Sequence, residues 1–110
     1  MNTAPDEAIA IFMTAADREE AGRLAETLVE KRLAACVQIL PEMESIYRWQ
    51  GRIERQPEVL LIVKTTGGKF EELEKEVRAL HSYETPEIVA FPLVASSNPY
   101  LEWLKKSVAV

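Results

Sequence analysis

One cysteine, one histidine and four glycines are all that 110 residues contain of those types, and basic side chains are outnumbered 13 to 18 by acidic ones. Each scarcity excludes something. A lone Cys36 cannot close an internal disulfide, and with His81 as the single imidazole no closed His/Cys zinc site can form within one chain. The glycines never assemble into G-x-G-x-x-G or a P-loop, and there is no nucleophile elbow, so no acid, base and nucleophile are spelled out as a set and catalysis is not expected. No apolar run approaches the roughly 20 residues that cross a bilayer. The opening MNTAPDEA lacks the basic n-region and long apolar core of a secretory signal, which sets the expectation of a cytoplasmic protein. The formal net charge is -5, with Lys and Arg interleaved among Glu, so there is no basic stripe for a phosphate backbone. Nucleic acid is therefore not an expected partner, and cations are the better guests.

What is present suits one compact domain. The hydrophobic share of 47% supports a core over residues 8–110, after a flexible tail over residues 1–7. Ala8 to Ala15 (AIAIFMTA) is an apolar run too short for a stable helix and reads as a buried strand. Asp17 caps a helix, with Glu20 reaching back from three positions on, and Ala21, Leu24, Ala25, Leu28 and Val29 recur at helical spacing until about Lys31. A strand pattern resumes from Ala34 to Ile39, breaks at Pro41, continues to Tyr47, turns over Trp49 to Gly51 and returns from Arg52 to Thr65, with Pro57 as a second interruption. That is a long hairpin. Gly67 and Gly68 end it, and Phe70, Leu73, Val77 and Leu80 mark a second amphipathic helix finishing at His81. Glu87 to Val94 supplies a last strand. Asn98 as cap and Pro99 as first helical position then open a short helix carrying Tyr100, Leu101, Trp103 and Leu104. The order β-α-β-β-α-β predicts an α+β fold of ferredoxin-like type, an antiparallel sheet with two helices on one face.

In such a fold a monomer's strands should alternate apolar and polar, because helices cover only one face. AIAIFM and Val59 to Val63 (VLLIV) are apolar on both parities, which puts Leu60 and Ile62 on the helix-free face and marks an interface. The alternative is a second face covered by the C-terminal segment with Trp103. Beyond Pro41 and Pro57 the ribbon must leave the main sheet, since neither proline donates to the ladder, and a bare two-stranded ribbon is marginal in water. Its tip, SIYRWQGRI, offers Ile46, Tyr47, Trp49 and Ile53 to another subunit, with Trp103 as a further interface residue. The pattern leaves the symmetry of the assembly open.

If the turn centres on Gln50, Cys36 stands across from Lys64 on one face and Val37 across from Val63 on the other, with a one-residue shift wherever a proline creates a bulge. A neighbouring ammonium would favour thiolate at Cys36, although a lone cysteine is more often inert. The segment HSYETPEI, from His81 to Ile88, gathers polar side chains where a helix ends and Pro86 forces extended backbone. His81 follows Val77 by one turn and so faces the apolar side, where a packed, hydrogen-bonded imidazole is the commoner outcome. A metal site there needs Glu84, Cys36 or a second subunit to complete it, and softer ligands favour copper over magnesium or calcium.

Several blocks at consistent spacing carry a further signal: RLAACVQI (Arg32 to Ile39), SIYRWQG (Ser45 to Gly51), Glu58 with Leu61 to Lys64, HSYETPEI, and YLEWL (Tyr100 to Leu104). Together they resemble the CutA family of divalent-cation tolerance proteins over nearly the whole chain after the tail. The resemblance implies a homotrimer in which long hairpins wrap neighbouring subunits, similar to PII-type signalling proteins, and a role in tolerance to copper and other divalent ions. It places Cys36 and His81 on the family's cysteine and histidine positions. Ser82 stands where the family usually has proline, and a single cysteine speaks against multi-thiol copper binding within a subunit. The leading expectation is a non-catalytic trimer with no obligatory cofactor, binding copper through His81, Cys36 and Glu84 near a subunit boundary. The second is a PII-like sensor or scaffold, with a small anionic ligand or a protein partner in an intersubunit cleft lined by Trp49, Glu58, Lys64 and Tyr83.

Overall fold

Strand β1, Ala8–Ala15, occupies the middle of the fold because its neighbours on both sides and above it are apolar. The computed structural model describes residues 4–110. After β1 come α1 (Arg18–Glu30), β2 (Cys36–Ile39), β3 (Met43–Trp49), β4 (Arg52–Thr66), a 3-10 turn (Gly67–Lys69), α2 (Phe70–Leu80), β5 (Ile88–Pro92) and α3 (Asn98–Val108). All pairings are antiparallel, in the order β2-β4-β1-β5, with β3 pairing only β4. The α+β, ferredoxin-like expectation with a long hairpin and a C-terminal helix holds. Of the flexible tail expected over residues 1–7, residues 1–3 lie outside the described residues, and in the rest two carbonyls accept hydrogen bonds from the 3-10 turn. Gly67 N–H donates to Glu7 O at 2.8 Å and Gly68 N–H to Pro5 O at 2.9 Å.

The helix side of the sheet is sealed. Ile9, Ile11 and Met13 of β1 and Leu61 and Val63 of β4 are 0% exposed, and they meet Leu28 of α1 and Leu73 and Val77 of α2, also at 0%. Asp17 caps α1 as its sequence position requires, its Oδ1 accepting the Glu20 N–H at 2.8 Å. The hairpin turns at Gln50 and Gly51, with φ of 50° and 77°, the left-handed pair that suits a two-residue connection between twisted strands.

Register follows the expectation and departs from it in one place. Cys36 pairs with Lys64 and Val37 with Val63, but in the outer ribbon Met43 pairs with Glu58 and Trp49 with Arg52. Residues 40–42 therefore oppose only residues 59 and 60, a one-residue bulge beside Pro41. Pro57 does not interrupt β4, contrary to the reading above. It pairs with Glu44 beyond the end of the β1 ladder at Val59, where the other edge of β4 is unpaired and the missing N–H costs no ladder bond.

The C-terminal helix also differs from expectation. Its cap is Ser97, whose Oγ accepts the Tyr100 N–H, so Asn98 and Pro99 are already helical, and the helix runs for 11 residues. It packs Leu104 and Val108 against Ala8 and Ala35 on the face of the sheet away from α1 and α2. Coverage stops at that end. Phe12, Leu60 and Ile62 stay half-buried, while Val89 and Phe91 are each 45% exposed. Leu61→Ala, on the sealed side, is expected to lower unfolding free energy by about 2–5 kcal/mol, read as a shift in the urea midpoint at unchanged m-value.

Candidate functional site

The segment between α2 and β5 is shaped by His81. A carbonyl can only accept, so the 2.7 Å contact of Nε2 with Thr14 O requires a proton on Nε2; a backbone N–H can only donate, so the 3.0 Å contact of Tyr83 N with Nδ1 uses the lone pair of that nitrogen. The ring is thus the Nε2–H tautomer with both nitrogens engaged. It is buried at 9% exposure and stacks at a tilt on Tyr83, centroids 4.7 Å apart.

Glu20 secures the same corner from α1. Its carboxylate accepts the N–H of Ser82 at 2.7 Å, the Ser82 hydroxyl at 3.0 Å and the Ala16 N–H at 3.1 Å, and Oε2 lies 3.7 Å from His81 Nδ1. Burial by itself pushes the Glu20 pKa up, yet these donors more than offset it and leave the carboxyl below its ordinary range. Ser82 does not loosen the corner. It supplies both an N–H and a hydroxyl to Glu20, and a proline there could offer neither.

With the corner held, Tyr83 reaches across to β4 and its hydroxyl donates to Glu58 Oε2 at 2.8 Å. Glu58 is 7% exposed. A cleft of about 570 Å³ opens in front of this pair. Thr14, Glu58, Glu84, Thr85 and Glu87 line it from the body of the domain, and Ser45, Tyr47 and Trp49 line it from the hairpin. Burial and then the Glu58 charge push the Glu87 carboxyl above its usual range. Burial, followed by the bond to Glu58 and its charge, pushes the Tyr83 phenol well above its ordinary value, so it stays a neutral donor.

Of the expected cleft residues, Trp49, Glu58 and Tyr83 come together and Lys64 does not. Lys64 Nζ donates to Gln38 Oε1 at 2.9 Å and sits 5.7 Å from the centroid of the Tyr100 ring. The cleft is therefore acidic, which disfavours the anionic ligand of the second expectation. The expected metal set does not converge either. Cys36 lies opposite Lys64 on β2, His81 is anchored at Thr14 with no lone pair to give, and Glu84 stands at the exposed corner. Among the described residues no group of three His, Cys, Asp or Glu side chains is placed to hold a metal ion. Ile46, Tyr47, Trp49, Ile53 and Trp103, expected at an interface, are 41–67% exposed.

Sequence reasoning read Glu20 as part of a helix cap only and passed over Glu87. Glu58 was expected at the cleft, but the return of Glu20 to residue 82 is a contact 62 positions away with no local signature.

Comparison with known proteins gives a consistent answer. Residues 9–107 match the model of the family described as CutA1 divalent ion tolerance protein. The chain is 47% identical over 97 residues to the divalent-cation tolerance protein CutA of Thermus thermophilus, covering 88% of this chain and 94% of that protein. It is 43% identical over 99 residues to the chloroplastic protein CutA of Arabidopsis thaliana, covering 90% of this chain but 54% of that protein, so it spans about half the length of the plant relative. Among solved structures, the Thermus thermophilus divalent cation tolerance protein superposes with a TM-score of 0.91 at 45% identity, covering 93% of this chain and 99% of that one. The periplasmic divalent cation tolerance protein CutA of Archaeoglobus fulgidus gives 0.90 at 43% identity, with 93% and 99% covered.

The pKa of Glu20 carries a pH prediction. Its folded value lies below the ordinary 4.5, so its stabilisation is complete above that pH and is lost as pH falls through the lowered value. Glu20→Gln should destabilise the protein by about 1–3 kcal/mol at neutral pH, and the gap from the parent should narrow in urea titrations repeated at progressively lower pH.

Proposed function

The chain belongs to the CutA1 divalent ion tolerance family, and from that premise we propose that it works as a non-catalytic homotrimer in tolerance to divalent metal ions, copper foremost. The observation that carries this reading is the half-covered sheet. Phe12 and Phe91 meet edge to face, centroids 5.0 Å apart, on a surface that also holds Leu60, Ile62 and Val89 and that α3 leaves open. Apolar surface of that extent on a sheet is stable in water when sister copies cover it. The hairpin supports the same reading. It projects past the main sheet with Tyr47 and Trp49 on one face and Ile46 and Ile53 on the other, so no single docking onto its own sheet would bury both.

Assembly also bears on the metal. In our reading His81 is a brace, and copper is held at a subunit boundary by Cys36 or Glu84 with donors from a neighbouring copy. Copper is preferred because divalent copper heads the affinity order for a given nitrogen or oxygen site and soft thiolate selects cuprous ion. A free Cys36 suits the cytoplasm, where thiols stay reduced. Relatives are named as tolerance proteins, in keeping with a chain that acts without catalysis.

Native mass spectrometry tests both parts. The expected result is a particle of three times the 12.4 kDa chain that takes up copper, with uptake lost in the double variant Cys36→Ser, Glu84→Gln. Phe91→Glu, which plants a charge on the open face, should shift the population to monomer. A parent that stays monomeric at micromolar concentration overturns the assembly, and copper uptake unchanged in the double variant overturns the ligand assignment.

A further inference from the structure

We infer that the cleft between the hairpin and the corner at residues 82–87 is a receptor for an organic ammonium ion. The demand for positive charge starts at Glu58. It is 7% exposed, its one side-chain hydrogen bond comes from the neutral Tyr83 hydroxyl to Oε2, and no Lys, Arg or His of the described residues lies within ion-pair distance of it. Among the described residues every fully buried side-chain polar atom has a partner, so the free Oε1 is accessible, on the side of the cleft that Glu58 lines. Glu58 thus presents to the cleft a largely desolvated carboxylate with one oxygen unpaired and no cation beside it, and an entering cation would supply the missing counter-charge. Glu87 enters the same space, where burial and the Glu58 charge already disfavour its ionised form.

The walls decide what kind of cation fits. Trp49, Tyr47 and Tyr83 line the cleft, and the first two are 47% and 41% exposed overall. Aromatic faces attract ammonium groups and also pack against their alkyl carbons. A space of about 570 Å³ is in the range of small-molecule sites and far larger than a bare ion needs. Metal coordination asks instead for several donors at short distance, and the described residues offer no such group of three. Buried carboxylate, neutral phenol donor and aromatic wall together match an alkylammonium.

The probe is 1,4-diaminobutane, titrated into the full-length native assembly by calorimetry and by Trp fluorescence, with butane-1,4-diol as the uncharged isostere. Saturable diamine binding with a fluorescence change is expected, with no response to the diol. Glu58→Gln should weaken binding about tenfold or more through loss of a charge-assisted hydrogen bond, and Trp49→Leu about threefold through loss of the aromatic face. If Glu58→Gln fails to fold by circular dichroism, the exposed Glu87→Gln replaces it, with weaker binding again expected. Absence of saturation at millimolar diamine, equal binding of the diol, or unchanged affinity in a folded carboxamide variant overturns the proposal. These outcomes are separate from those above. A trimer that takes up copper but ignores the diamine sinks only this site, and a monomer that binds the diamine sinks only the assembly.

Discussion

The single orientation open to the His81 ring is the constraint on which the cleft depends. Nε2 must donate to the last turn of β1 at Thr14 O, and Nδ1 must receive the Tyr83 N–H, so the ring links the end of α2, the end of β1 and the start of the corner through two bonds that cannot be exchanged. Rotating the imidazole would set an acceptor against a carbonyl and a donor against an N–H. Buried polar groups left that way cost about 1–3 kcal/mol each. The consequence is directional: with its backbone pinned at the nitrogen, Tyr83 has its phenol carried toward Glu58 on β4. Glu20 adds a second fastening from α1 to the adjacent residue, so two helices and the sheet agree on where residue 82 sits.

That corner is fastened at several points while the opposite wall is not self-supporting. The hairpin residues facing Glu58 belong to a ribbon of two strands held to the body only through β4, and two-stranded ribbons are marginal in water. The cleft thus pairs a firm acidic side with an aromatic side whose position depends on whatever the ribbon lies against. In the assembly proposed above, a subunit boundary that held the ribbon would also hold Trp49 and Tyr47 against the carboxylates.

Much of the fold was legible because it rests on short-range periodicity. The bounds of β1, the Asp17 cap, the end of α2 at His81 and the pairing of Cys36 with Lys64 follow from strand parity and helical spacing. The misreadings share a cause. Pro57 passes as an ordinary strand residue because of which edge it faces, and α3 covers part of the second face because of where it docks; both are tertiary facts. For the site, Glu58 and Lys64 share a face of β4, but Lys64, two residues beyond Ile62, lies toward α3 and Tyr100 rather than toward the corner. Shared face is not shared neighbourhood, since each two-residue step along a strand moves a side chain by about 7 Å.

The same distinction explains why histidine, the residue type most readily assigned to a metal, is here the least able to bind one. Metal affinity requires a free lone pair on a neutral imidazole. In this chain the lone pair is already committed to Tyr83 N–H, and releasing it would free the residue that holds Glu58. Binding through His81 would therefore dismantle the wall of the acidic cleft. Ser82 makes the commitment firmer, since its N–H and hydroxyl tie the corner to Glu20 through bonds that proline could not form. In the reading proposed above, a cation would therefore have to be met by carboxylates or the thiol, while the imidazole braces the corner through Thr14 and Tyr83.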